Sequence, residues 1–161
     1  MTKVILLRQL KDFTEKATWD LLLPVRVQTQ GEQKKDRRAE VHLMRLPDSK
    51  AAHKKAPYIL HQLITGADQQ TPGNREDASA TVRTIFCVYS DDEEKGAMLL
   101  LNLMERLRIE LLRTRVIGAQ FHLDLETPME TLCYPDDTAP YFAGEMVSSW
   151  TLPSVEREVI F

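Results

Sequence analysis

The chain has little that would staple, anchor or arm a protein. It holds two cysteines, Cys87 and Cys133, in 161 residues, with no CxxC spacing. Small secreted domains carry cysteines in larger even sets, so both are expected as reduced thiols in a reducing compartment. Long apolar runs are missing. Val4-Ile5-Leu6-Leu7 ends at Arg8, and Gln9, Lys11 and Asp12 follow. That run is too short for a signal-peptide core and far short of a membrane span, so a soluble cytoplasmic protein is expected. P-loop, GxGxxG, GxSxG, HExxH and EF-hand patterns are all absent, which removes the common phosphate, nucleophile and metal devices. The four histidines, His42, His53, His61 and His122, show no metal-ligand spacing and no neighbouring nucleophile or acid partner. No catalytic residue, metal or cofactor is therefore expected. His122 is expected in solvent and His61 half buried. An excess of charge of one sign is also missing. A net charge of -3 and a pI near 5.8 give no overall pull toward nucleic acid or an anionic membrane.

What is present suits one folded unit. The hydrophobic fraction is 43% and the charged fraction 28%, ordinary for a globular chain. A single domain over 1–161 is expected, burying roughly 68–70% of its unfolded surface. Leu6, Leu10, Phe13 and Ala17 lie on one helical face, predicting a helix over about 3–18. Pro24 ends it. From Val25 the period becomes two, through Val27 and Thr29, and a second strand holds Val41, Leu43 and Leu46; the two read as a hairpin. Tyr58–Thr65 and Val82–Tyr89 read as the next strands. Residues 31–38, 47–57 and 66–80 read as exposed loops, rich in Gly, Pro or charge.

Ser90-Asp91-Asp92-Glu93-Glu94 places caps and acids before a helix over about 93–113, cored by Leu100, Leu103, Met104, Leu107 and Leu111 and ending near Gly118. A helix cap explains these acids more simply than a cation site. Ala119, Phe121, Leu123 and Leu125 alternate as a strand, 127–140 reads as a loop, and a last strand spans about 142–152. The resulting order is α-β-β-β-β-α-β-β. It predicts an α+β fold, an antiparallel or mixed sheet packed against two main helices.

Two features stand out from this frame. The first is basic: Lys34, Lys35, Arg37 and Arg38, with a second cluster at Lys50, His53, Lys54 and Lys55. A solvated hairpin tip explains the first cluster; contact with phosphates or an acidic partner is the functional alternative. The absence of aromatics argues against base stacking. The second is on the long helix, where Met98 and Ile109 fall opposite the leucine stripe, in company with Arg106. Single exposed apolar residues are normal, but two on one polar face suggest a subunit contact.

The segments TVRTIFCVYSDDEEKG, LNLMERLRIELL, VIGAQFHLDL, APYFAGEM and SSWTLPSV, from Thr81 to Val155, together resemble the tail terminator and minor tail proteins of long-tailed bacteriophages and prophages. The resemblance covers nearly half the chain and departs from the family at Met129 and in the charged 31–55 region. It implies a small subunit that forms a ring, commonly a hexamer, on the last ring of the tail tube. Such a ring would stop tail growth and offer a surface to the head-tail connector protein. It implies as partners further copies of itself, the tail tube protein and the connector, with transient contact to DNA in the lumen and no membrane. It implies the host bacterial cytoplasm during assembly, then the virion tail. The basic residues Lys34, Lys35, Arg37, Arg38, Lys54 and Lys55 are then candidates for an interface or lumen loop. Met98, Ile109 and Arg106 are candidates for a subunit contact. Other readings of the chain are a different neck or connector component, a small nucleic-acid-binding module using the basic loops, or an enzyme with a dispersed site.

Overall fold

The structure, a computed structural model, describes residues 2–26, 35–47, 55–135 and 139–158. Helix α1 spans Lys3–Ala17. Its first turn is capped by Thr2, whose hydroxyl accepts from the Ile5 amide, one of the orphan donors every helix start must satisfy. The 3–4 spacing of Leu6, Leu7, Leu10 and Thr14 turns those side chains inward. Helix α2 spans Glu93–Thr114. Asp92 is its cap, accepting from the Lys95 amide at 3.0 Å, and Glu93 and Glu94 sit in the first turn. The acidic run therefore satisfies backbone donors and complements the helix dipole. The helix stops at Arg115, which takes the left-handed conformation (φ 62°), three residues before the expected Gly118.

Seven strands accompany the helices: β1 Glu40–Leu43, β2 Tyr58–Gln70, β3 Glu76–Tyr89, β4 Val116–Ile117, β5 Phe121–Asp124, β6 Glu130–Cys133 and β7 Tyr141–Leu152. They form one mixed sheet in the order β1-β2-β3-β7-β5-β4, with β6 also on β7. The α+β class is as expected. The element order, α-β-β-β-α-β-β-β-β, is not.

Three local expectations are corrected. Val25 and Arg26 are not in a strand, and residues 27–34 lie outside the described set. Leu23 instead exchanges two main-chain hydrogen bonds with Arg37, at 2.8 and 3.0 Å, as an isolated bridge. The expected hairpin partner of Val41 is thereby replaced: β1 runs parallel to β2, Val41 opposite Ile59. Residues 66–80 are not a loop, because the β2–β3 ladder runs on from Gly66↔Ala80 to Gln70↔Glu76. Main-chain pairing does not need apolar side chains when both faces of the ribbon meet water. The turn itself is short, with Gly73 at φ 85°, a conformation that favours glycine. Within 127–140, Glu130–Cys133 pairs with Val147–Gly144 of β7.

Both helices cover one face of the sheet. The main core joins Leu6, Leu10, Leu103 and Leu107 to Ile59, Val82, Phe86, Met146 and Trp150. Each such side chain contributes roughly 1.5–3 kcal/mol on full burial. The approach of α2 to β7 depends on Gly96: a Cβ there would stand 2.2 Å from the Phe142 ring. A smaller cluster on the opposite face gathers Ala56, Tyr58, Leu60, Cys87 and Tyr89.

One polar link crosses the main core. His61, expected half buried, is 1% exposed. Its Nε2 lies 2.8 Å from Thr14 Oγ1 and its Nδ1 2.8 Å from Thr84 Oγ1. Thr14 already donates its hydroxyl proton to the Leu10 carbonyl. Nε2 must then carry the ring proton and donate to Thr14, while Nδ1 accepts from Thr84. The neutral ring thus ties α1 to β2 and β3. Burial pushes its pKa down to about 3.

Candidate functional site

The basic residues do not form a free cationic tip. Arg37 turns inward. Its guanidinium donates to the carbonyls of Arg38, Pro57 and Lys55 at 3.0, 3.0 and 2.8 Å, and Glu40 stands 3.7 Å away. These bonds fasten the start of β1 to the start of β2. Arg38 donates to the Trp19 carbonyl and lies 3.8 Å from the centre of the Trp19 ring, a stacked cation–π contact. Lys35 is exposed and Lys55 half buried. Lys34 and Lys54 fall outside the described residues. Two of the six basic candidates therefore serve first as clips between segments. Sequence could not reveal this, because a guanidinium's five donors suit backbone carbonyls as well as phosphates.

On α2, Met98 is 62% exposed and Ile109 41% exposed. They share a face, but eleven residues at 1.5 Å each put them about 16 Å apart. The structure assigns them to different surfaces. Met98 lies in a shallow cleft of about 460 Å³ with Leu99, Leu101, Asn102 and Glu105. Ile109 and Arg106 line a second cleft of about 480 Å³ that α2 forms with Phe13 and Ala17 of α1. There Arg106 ties α2 to the turn that follows α1, donating to Asp20 Oδ1 at 2.7 Å, and this bond holds the Asp20 carboxyl below the usual range.

Several exposed apolar residues were not among the sequence candidates. Leu101 (43%) extends the Met98 surface, Trp19 (59%) and Leu22 (56%) follow α1, and Leu132 (51%) sits on β6. The signal for Trp19 was available: at ~100° per residue it falls about 150° from the centre of the Leu6–Leu10–Phe13–Ala17 face. The thiols differ in the same way. Cys87 is buried, and burial raises its pKa to about 11, which keeps it protonated and inert. Cys133 is exposed.

Among the described residues, no group of three or more His, Cys, Asp or Glu is placed to hold a metal. No helix is long and apolar enough to cross a membrane. The Phe13–Ile109 cleft holds the Arg106–Asp20 ion pair among apolar side chains, and the Met98 cleft sets Lys95, Asn102 and Glu105 beside Met98, Leu99 and Leu101.

No family model and no curated protein matches the chain. Several solved structures match; one of them aligns over 96% of this protein and 95% of itself, at 12% identity and a TM-score of 0.46, a likeness too loose to carry an argument.

Proposed function

We propose that the protein is a structural assembly subunit of the tail-terminator type, which forms a ring on the end of a phage tail tube and presents a surface for head joining. The observation that carries this reading is the order of the Thr81–Val155 segments together with what they build. The strand ending in Val88-Tyr89, the capped helix after it and the strand ending in Trp150-Thr151-Leu152 are β3, α2 and β7, one packed scaffold. Two features of that scaffold support assembly. Met98, Leu101 and Ile109 leave apolar surface along α2, where a neighbouring subunit gains affinity by covering it. The β2–β3 ribbon is exposed at every residue from Ile64 to Arg75, a reach of backbone and polar groups suited to a second protein. DNA in the lumen remains part of the proposal, with Lys35 rather than the clipped Arg37 as a described contact.

The test is native mass spectrometry over a concentration range, with and without purified tail tubes. A closed ring of about six copies, alone or on the tube, is the expected outcome, since closure is what this role requires. A monomer that neither self-associates nor binds tubes overturns the reading.

A further inference from the structure

The two ends of the sheet differ in charge. At one end β1 has β2 as its strand partner; toward the other, beyond β7 and alongside the β5–β4 pair, β6 has β7. Each is four residues long, and among the described residues each is laddered to one strand only, the isolated Leu23–Arg37 bridge lying three residues before β1. The free side of such a strand offers a row of N–H and C=O groups to another strand. Around β1, the described residues 35–47 and 55 hold five Lys and Arg against two Asp and Glu. The described residues 116–135 and 139–156, which carry β6, hold five Asp and Glu and no Lys or Arg. In space, Lys35, Arg38 and Arg45 are exposed at the β1 end together with the acids Asp36 and Glu40, and Glu126 and Glu130 are exposed at the β6 end with no base beside them in β6. Each end also has apolar surface: Trp19 and Leu22 near β1, Leu132 and Tyr134 on and after β6. A cleft of about 360 Å³ lies between the Lys11–Trp19 side of α1 and residues Arg38 to His42.

We propose that β6 of one copy adds to β1 of a second copy, extending the sheet across the subunit boundary with the acidic end against the basic end. This deepens the ring reading and rests on it. Main-chain hydrogen bonds provide the pairing. Charge sets its polarity: β1 on β1 sets base against base, and β6 on β6 sets acid against acid. A contact between two different surfaces of one subunit is heterologous, the kind that closes into a ring. The faces also agree. Glu40 pairs with Tyr58, on the face away from the helices. Leu132 pairs with Glu145, in line with Ile85 and Leu60 on that same face. Joining these faces keeps the helices of successive copies on one side.

Cross-strand Cα atoms are about 4.5–5.5 Å apart, within disulfide reach. The experiment uses the full chain carrying Cys133→Ser, which removes the exposed thiol and leaves the buried Cys87. Glu40→Cys or His42→Cys is placed in one preparation and Leu132→Cys in another. Under mild oxidation the mixed preparations should give a covalent dimer that neither gives alone. Glu40→Cys or His42→Cys combined with Leu132→Cys in one chain should give a ladder of multimers. If native mass shows a ring but no mixed disulfide forms, this inference fails while the ring reading stands. A disulfide in either single preparation alone also overturns it, since that reports like-on-like pairing. A monomer under every condition, tail tubes included, overturns both.

Discussion

The two halves of β2 share one strand and one ladder, yet they live in different surroundings. Tyr58 to His61 are all buried, and Ile64 to Gln70 are all exposed. Both halves pair with β3, and the register shifts between Leu63 and Thr65, so Ile64 is the extra residue of a bulge. What differs is the other neighbours. The first half has β1 on its free side and shares a core with α1. Among the described residues the second half has no strand on that side, and α1 reaches it only through the Lys3 side chain over Gly66. Backbone hydrogen bonds suffice to keep a chain extended, but each contributes only about 0.5–1.5 kcal/mol net. The burial of side chains on one half makes it a fixed part of the domain and leaves the other half as surface.

The largest effect should come from Ile59→Ala, in the first half. Ile59 is 0% exposed and opposite both Val41 and Phe86. Removing a buried branched side chain and leaving a cavity costs about 2–5 kcal/mol. Urea unfolding should show a lower midpoint at an unchanged slope. A loss under about 1 kcal/mol would mean that this half is no more fixed than the other.

A middle-sized effect should come from pH, through His61. Its pKa in the fold is about 3 against 6.5 for the free side chain. Between those values the unfolded chain takes up a proton that the folded chain refuses, so stability falls as pH drops below about 6.5. The decline approaches 1.4 kcal/mol per pH unit while the site stays shut. Carboxylates titrate at the lower end of that range, so the informative window is pH 7 to 5, comparing wild type with His61→Gln. The variant should be less stable at pH 7 and show a flatter slope. Equal slopes would mean that His61 does not stay neutral in the fold.

The same contrast explains what sequence could and could not tell. Both helices announce themselves because burial on one face imposes a 3–4 spacing, and Asp92 caps where its position suggests. β5 and the buried part of β3 read correctly because alternation records which side faces the core. The outer half of β2 carries Gly66, Ala67 and Asp68, residues that strands disfavour. It is extended only because β3 runs beside it, and a pairing partner leaves no mark in its own composition. Val25 erred the other way: alternation was present, but the described chain there bonds through Leu23 to Arg37. Among the site residues, the charge of Arg37 and Arg38 was legible. Their turn toward carbonyls was not, since it depends on where Pro57, Lys55 and Trp19 come to lie.

The smallest effects belong to the outer half, and they sharpen the comparison most. Ile64→Ala changes the same residue type in the same strand as Ile59→Ala, but Ile64 is 49% exposed. The cost should stay under about 1 kcal/mol, because what is lost is partial burial and β preference rather than a packed core. Trimming the ribbon extends the argument. Asp68 and Ala78 are cross-strand partners, so Asn-Gly in place of residues 69–77 closes the hairpin with a two-residue turn. Ala78 keeps its pairing to Leu152 of β7, and unfolding free energy should move by no more than about 1 kcal/mol. If the ribbon serves assembly, binding to tail tubes should weaken at least tenfold while the fold and its midpoint hold. A trimmed chain that still binds tubes would place the contact elsewhere, and one that unfolds would show that the outer half supports the domain after all.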